Sequence, residues 1–305
     1  MAVRLDGQVV LVTGAGRGLG RAYALDLARH GAKVIVNDLG GSVSGEGSDE
    51  TPAQQVVSEI KAMGGEAVAN AGDVGDYEDC YTMVKQAMHT WGRLDAIVCN
   101  AGILRDLALH NMGEADWDAV VRVHLKQCYN LMHHAWPVFR QQAYGRVVMA
   151  TSAAGLVGNF GQANYGAAKA GMFGLMNVAK LEGEKYNIMV NLISPVAMTR
   201  MTENLMGFAA QDEARRQAMA PEQVAPAVTF MASPQCTQSG MVIEAGGGQY
   251  ATSFMVRTKG VTIDPSQPKD ADWIEANLGN LTDMNGAQVL WGIRETREEH
   301  DAKRG

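Results

Sequence analysis

Apolar residues follow two rhythms along this chain. Short, nearly unbroken apolar runs alternate with longer stretches that carry one apolar face at helical spacing. Val9–Thr13 is the first run, and Arg21–His30 follows with Ala22, Leu25 and Ala28 three residues apart. Strand-like runs recur at Lys33–Asn37, Glu66–Asn70, Ala96–Asn100, Val147–Thr151 and Met189–Ser194, with Met241–Glu244 as a seventh. Between them Ala53–Met63, Glu78–Trp91, Trp117–Arg140 and Tyr165–Tyr186 read as helices. Apolar strands separated by helices are buried on both faces, which predicts a doubly wound α/β fold with a parallel sheet of about seven strands. A chain of 305 residues can bury such a core. The alternation fades after residue 248. Residues 1–248 are therefore expected to form one domain, and 249–305 a C-terminal extension packed on it or on a neighbouring subunit.

Composition narrows the function classes. A net charge of -7 and a pI near 5.5 argue against a broad nucleic-acid surface. No apolar run approaches membrane-spanning length, so no membrane insertion is expected. Met1–Asp6 is unlike a signal peptide and Ala302–Gly305 lacks a peroxisomal Ser-Lys-Leu address, which predicts a cytoplasmic protein. Cys80, Cys99, Cys128 and Cys236 are scattered, without the close pairs of a zinc or redox motif, and read as reduced structural thiols. His133 and His134 are adjacent and on a helix would point about 100° apart, a poor chelating pair. No metal is expected. The Gly/Ser-rich stretch 40–48 has linker composition, but it lies between two strands of one sheet and reads as a long surface loop.

Chemistry concentrates at two places. Tyr165 and Lys169 are four residues apart, one turn of helix on the same face, and Ser152 lies thirteen residues before the tyrosine. An ammonium beside a phenol favours phenolate and is expected to lower the tyrosine pKa. A serine hydroxyl close by can hold an alcohol or carbonyl oxygen for proton exchange. The second place is Gly14-Ala15-Gly16-Arg17-Gly18-Leu19-Gly20, set between the first strand and the first helix. Glycines there let the backbone turn sharply and approach a pyrophosphate at the helix N-terminus. Asp38 ends the second strand, placed to accept hydrogen bonds from a ribose.

Together these motifs resemble the short-chain dehydrogenase/reductase family, a Rossmann-type fold. Thr13, Gly14, Gly18 and Gly20 match its Thr-Gly-x-x-x-Gly-x-Gly motif. Asp73 and Val74 look like its adenine contact. Asn100, Ala101 and Gly102 resemble its Asn-Asn-Ala-Gly turn, with Cys99 in place of the first asparagine. Ser152, Tyr165 and Lys169 match its catalytic serine, tyrosine and lysine. Pro195 corresponds to the turn beneath the nicotinamide, with Val196 where glycine is usual, and Thr199 to the residue that binds the carboxamide. The tetrad asparagine is replaced by His124, in Arg122-Val123-His124-Leu125.

Within that family, Asn37–Gly41, Asn100–Asp106 and Gly158–Tyr165 are similar to the dehydrogenase part of the peroxisomal multifunctional enzymes of type two. That resemblance implies oxidation of (3R)-hydroxyacyl-CoA esters in β-oxidation of fatty or steroid side chains. It also implies a homodimer or homotetramer. Asp38 should repel a 2'-phosphate and select NAD as cofactor, although Arg17 holds a position where basic residues often accompany NADP. Three other readings remain open: a dehydrogenase of free hydroxysteroids, an NADPH-dependent 3-oxoacyl-thioester reductase, and a cofactor-binding scaffold without turnover.

Overall fold

β1 (Val9–Thr13) buries all five of its side chains and divides its four apolar ones between two cores. Val10 and Val12 face one, Val9 and Leu11 the other. This period-two split is what a central strand covered on both sides requires. The computed structural model describes residues 2–49, 51–198, 213–264, 266 and 269–290.

The chain forms two compact units, the first running from Met1 to Thr252. After β1 come α1 (Gly18–Arg29), β2 (Lys33–Asn37), α2 (Thr51–Ala62), β3 (Ala67–Asn70), α3 (Tyr77–Trp91) and β4 (Ala96–Cys99). Next are α4 (Glu114–Val121), α5 (Gln127–Gln142), β5 (Gly145–Ala150), α6 (Ala153–Val157), α7 (Ala163–Gly183) and β6 (Ile188–Val196). The unit closes with α8 (Glu213–Ala218), α9 (Ala225–Ala232), β7 (Val242–Gly246) and β8 (Gln249–Thr252).

The sheet order is β3-β2-β1-β4-β5-β6-β7-β8. β1 to β7 are parallel, as expected, and β8 adds an antiparallel edge. The first unit thus extends past residue 248, because Gln249–Thr252 turns back to pair with β7. All four β8 side chains are exposed, so nothing in their polarity marks a strand. Helices α1, α2 and α9 cover one face with Leu25, Val56, Ile60 and Val228. The other face is covered by α3, α5 and α7, through Met83, Leu131 and Met172 among others.

Two details position the site. After β3 the chain crosses to the far side of β1, so strand order reverses between β1 and β4 and a crevice opens at their carboxyl ends. The helix expected over Trp117–Arg140 is also broken by a π turn at Arg122–Lys126, between α4 and α5. One-turn π segments are frequent at functional sites. No helix among the described residues is long and apolar enough to cross a membrane.

The second unit is Ser253–Gly305. Its described part pairs β9 (Val256–Arg257) antiparallel with β10 (Gln288–Val289). Between them lies α10 (Ala271–Thr282), capped by Asp270, whose carboxylate accepts the Trp273 N–H at 3.0 Å.

Candidate active site

The floor of the crevice is built by tying the end of β4 to the end of β1. Thr13 Oγ1 accepts the N–H groups of Asn100 at 2.9 Å and Ala101 at 3.0 Å. It also donates to Gln127 Oε1 at 3.0 Å, while Gln127 Nε2 donates to the Ala101 carbonyl at 2.6 Å. Asn100 Nδ2 reaches the carbonyls of Thr13 and Gly14 at 3.0 and 3.3 Å. The approach is so close that a Cβ on Gly14, which has φ +61°, would lie 2.8 Å from Ala101 Cα. Asn100 therefore spends its amide on the glycine turn. Neither Thr13 as a buried hub nor Gln127 was legible as part of this lock, since their separation of 114 residues gives no local signal.

A cavity of about 310 Å³ lies above this floor. Gly14, Arg17, Gly18, Leu19, Gly20, Asp38, Asp73, Val74, Asn100, Ala101 and Gly102 all line it, and so do His124, Tyr165, Lys169 and Pro195. Asp38 accepts the N–H groups of Gly16 and Gly40, both at 2.7 Å, one on each oxygen. Each oxygen keeps a lone pair for a further donor. Arg17 Nη2 is 3.9 Å from Asp49, so its charge is partly answered within the loop. Asp73 pairs with Arg122 at 2.6 Å, which joins the expected adenine end to the π turn. A glycine cradle at a helix N-terminus, a fixed carboxylate beyond it and a partly apolar wall suit a nicotinamide dinucleotide. Thr199 lies outside the described residues.

The reacting groups converge at the other end. Ser152 follows Thr151, which lines the cavity, and caps α6, its Oγ accepting the Ala154 N–H at 3.2 Å. Tyr165 stands in the first turn of α7 and Lys169 one turn on, with Lys169 Nζ 5.3 Å from the phenol ring centre. Lys169 is buried and donates to the Ala150 carbonyl, while Thr151 Oγ1 donates to the Lys169 carbonyl at 3.0 Å. Asn164 fixes the start of α7: its Nδ2 donates to Arg105 O at 3.0 Å and Asp116 O at 3.1 Å.

The electrostatics correct one expectation. Burial raises the Tyr165 pKa, against a lowering by its hydrogen bond with Ser152. Burial also brings Lys169 down to about 8. The expected drop in the phenol pKa does not occur because both groups are desolvated and the lysine is turned toward a carbonyl.

His124 sits in the π turn, buried, its ring edge-on to Tyr165 with centroids 5.0 Å apart. Its Nε2 is 2.8 Å from the Ile103 carbonyl and 3.1 Å from the Ile103 nitrogen. The shorter contact requires the proton on Nε2, which leaves Nδ1 a bare acceptor. That atom is buried without a protein partner among the described residues. Burial, then the charge of Lys169, hold His124 well below the usual histidine range, so it is neutral near pH 7.

Comparison with known proteins bears on this arrangement. A family model described as short chain dehydrogenase matches residues 8–210. Peroxisomal multifunctional enzyme type 2 of Mus musculus is 43% identical over 295 residues, 96% of this chain and 39% of that enzyme. Hydroxyacyl-CoA dehydrogenase ChsB1 of Mycobacterium tuberculosis is 40% identical over 259 residues, 80% of this chain and 79% of that one. The crystal structure of a short chain dehydrogenase from Mycobacterium avium superposes with a TM-score of 0.78 at 40% identity, covering 91% of this chain and 95% of that one. The chain thus spans well under half of the multifunctional relative's length and most of the other two.

Proposed function

This chain belongs to the short-chain dehydrogenase/reductase family, and from that premise we propose that it oxidises the C3 hydroxyl of (3R)-hydroxyacyl-CoA esters with NAD. The observation that carries the reading is the convergence of Tyr165, Lys169 and His124 on the cavity whose other end holds Asp38 and the glycine cradle. The names of two relatives, a peroxisomal multifunctional enzyme type 2 and a hydroxyacyl-CoA dehydrogenase, support the substrate class.

In this reading Ser152 donates a hydrogen bond to the substrate oxygen and Tyr165, as phenolate, takes the hydroxyl proton. Before substrate binds, the Ser152 hydroxyl favours the phenolate that burial opposes, and its single proton turns to the substrate oxygen once the ester is bound. Lys169, still mostly protonated at pH 7, stabilises that charge and holds the nicotinamide ribose. His124 is neutral and keeps the face of Tyr165, and the free lone pair of Nδ1 can take a water that passes the proton outward. Bound NAD would supply the hydride acceptor. Gly14, Gly18, Leu19 and Gly20 would hold its pyrophosphate, Asp38 the adenosine ribose, and Asp73 and Val74 the adenine. Asn100, Ala101, Gly102 and Pro195 would wall the nicotinamide end. A 2'-phosphate would meet the Asp38 carboxylate, and Arg17 is already drawn toward Asp49, which favours NAD over NADP.

Exposed Val178 and Leu181 on α7 and Tyr129 on α5 support a homodimer or homotetramer. Four buried free thiols suit a reducing compartment such as the cytoplasm. The deciding experiment follows NADH absorbance with purified protein, NAD, and matched (3R)- and (3S)-hydroxyacyl-CoA of medium chain length. Turnover of the (3R) ester alone is expected. Turnover of the (3S) ester, or of free hydroxysteroids only, would refute the assignment.

A further inference from the structure

The loop joining β2 to α2 is closed at its neck and ordered within itself. Asp49 donates its N–H to the Leu39 carbonyl at 2.9 Å, and Gly40, with φ +78°, packs where a Cβ would strike the Asp49 backbone. Inside the loop the Ser42 N–H reaches the Glu46 carbonyl at 2.8 Å, and the Gly45 N–H reaches the Ser42 carbonyl at 3.1 Å. A compact loop with joined ends can move as one body. Its tip is tied to the segment that follows β4. Leu104 donates its N–H to the Val43 carbonyl at 2.9 Å, and Arg105 Nε donates to the Ser44 carbonyl at 3.1 Å. Gly45 lies so near Ile103 that a Cβ would stand 3.0 Å from Cδ1.

Sheet order says what this tie crosses. β1 lies between β2 and β4, so segments leaving the carboxyl ends of those two strands meet across the end of β1, where the glycine turn is. Gly41, Ser42, Val43, Gly45 and Ile103 all line the cavity there. The other side of the β4 segment is committed to the site: the Ile103 carbonyl takes His124, and the Arg105 carbonyl takes Asn164 Nδ2. The Arg105 guanidinium also reaches Asp116 Oδ1 at 3.4 Å, on α4. The segment is thus a fixed rail, and the loop is the part free to swing. We propose that residues 40–49 form a strap across the bound dinucleotide, latched by Arg105 as a positioning residue, and that the cofactor leaves only when the latch opens. The proposal rests on the dinucleotide reading of the cavity and goes beyond it by assigning the control of cofactor release. The two tip hydrogen bonds are individually modest, so the strap can open without disturbing the sheet.

Stopped-flow fluorescence of NADH, chased from the protein by excess ADP-ribose, tests this without turnover. Arg105→Ala is expected to speed NADH release by at least about fivefold, the scale of one lost hydrogen bond, with the association rate within threefold of wild type. Asp116→Ala removes the other partner of Arg105 and spares the strap, so its release rate should stay within twofold of wild type. Release from Arg105→Ala within twofold of wild type overturns the proposal. Equal acceleration by Asp116→Ala also overturns it, since the effect would then run through α4. Should Arg105→Ala fold poorly, hydrogen exchange at the Leu104 amide of the wild type decides. That amide is bonded to the strap and Leu104 does not line the cavity, so NADH should slow its exchange at least tenfold by holding the latch shut. Exchange indifferent to NADH overturns the proposal. A wild type that binds no NADH would overturn it together with the cofactor reading, whereas NADH binding without oxidation of hydroxyacyl-CoA would refute the substrate assignment alone.

Discussion

Gly102→Ala should be among the more damaging single-methyl additions in the first unit, because the methyl would enter the space of the His124 ring. An ideal Cβ on Gly102 lies 3.0 Å from both ring nitrogens and nearer still to Cε1, inside the roughly 3.5 Å of ordinary carbon contact. The ring has little room to retreat. Its Nε2 is held at 2.8 Å by the Ile103 carbonyl, and the Tyr165 ring stands perpendicular to it with centroids 5.0 Å apart. Overpacking of this kind costs about 1–3 kcal/mol. Taking ~2 kcal/mol, the melting temperature should fall by about 4–8 °C for a unit of this size. A thermal melt followed by circular dichroism reads the shift, and a double-mutant cycle identifies its cause. In a His124→Ala background the methyl finds room, and Gly102→Ala should then cost less than about 0.5 kcal/mol, a coupling of at least ~1 kcal/mol. Additive losses, or a melting point within 1 °C of wild type, would refute the claim that the ring is boxed in (about 0.3 kcal/mol by the same conversion).

Tyr165→Phe should lower kcat by at least about a hundredfold while NADH affinity, read by fluorescence, stays within threefold; near-normal turnover would remove the tyrosine from its role. NAD should be preferred over NADP by at least tenfold in kcat/KM, about 1.4 kcal/mol, and Asp38→Ala should narrow that ratio; comparable efficiency with both cofactors in the wild type would contradict the placement of Asp38. Lys169 has a folded pKa of about 8 against an ordinary 10.5, so the folded state releases a proton that the unfolded chain retains. Its ionisation therefore costs no stability above about pH 10.5, and the cost grows as pH falls and levels off below about 8, reaching on the order of 3 kcal/mol. Lys169→Met should accordingly gain melting temperature relative to wild type as pH is lowered from 10.5 to 7.5. A pH-independent difference would count against a desolvated ammonium.

Much of this molecule could be read along the chain because its signals are local. Val9–Thr13, the glycine turn and Asp38 lie within thirty residues of one another, and Tyr165 and Lys169 are one helical turn apart. What escaped depends on partners far away in sequence. Gln127 closes the floor only after β1 and β4 have paired. The rise in the Tyr165 pKa follows from burial, which spacing does not encode. α9 was missed because it is apolar nearly all round: Ala225, Ala227, Val228, Met231 and Ala232 are buried, with no polar stripe to give it a period. The π turn left no trace either, since the same residues at the same spacing suit an unbroken α-helix.

That π turn also places a constraint on how the gene for this protein can change. A π turn holds one residue more than the α-turn it replaces, so it absorbs that residue without shifting the angular phase of the helix that follows. Deleting one residue among Arg122–Lys126 would let the helix close into uniform α-geometry and leave α5 in phase, with Cys128, Leu131, Ala135 and Phe139 still facing the core they fill. What would be lost is local, the widened turn from which His124 reaches the Ile103 carbonyl and Tyr165. A one-residue deletion here should therefore spare the fold and be felt at the site, whereas the same deletion within α5 would turn everything after it by about 100°.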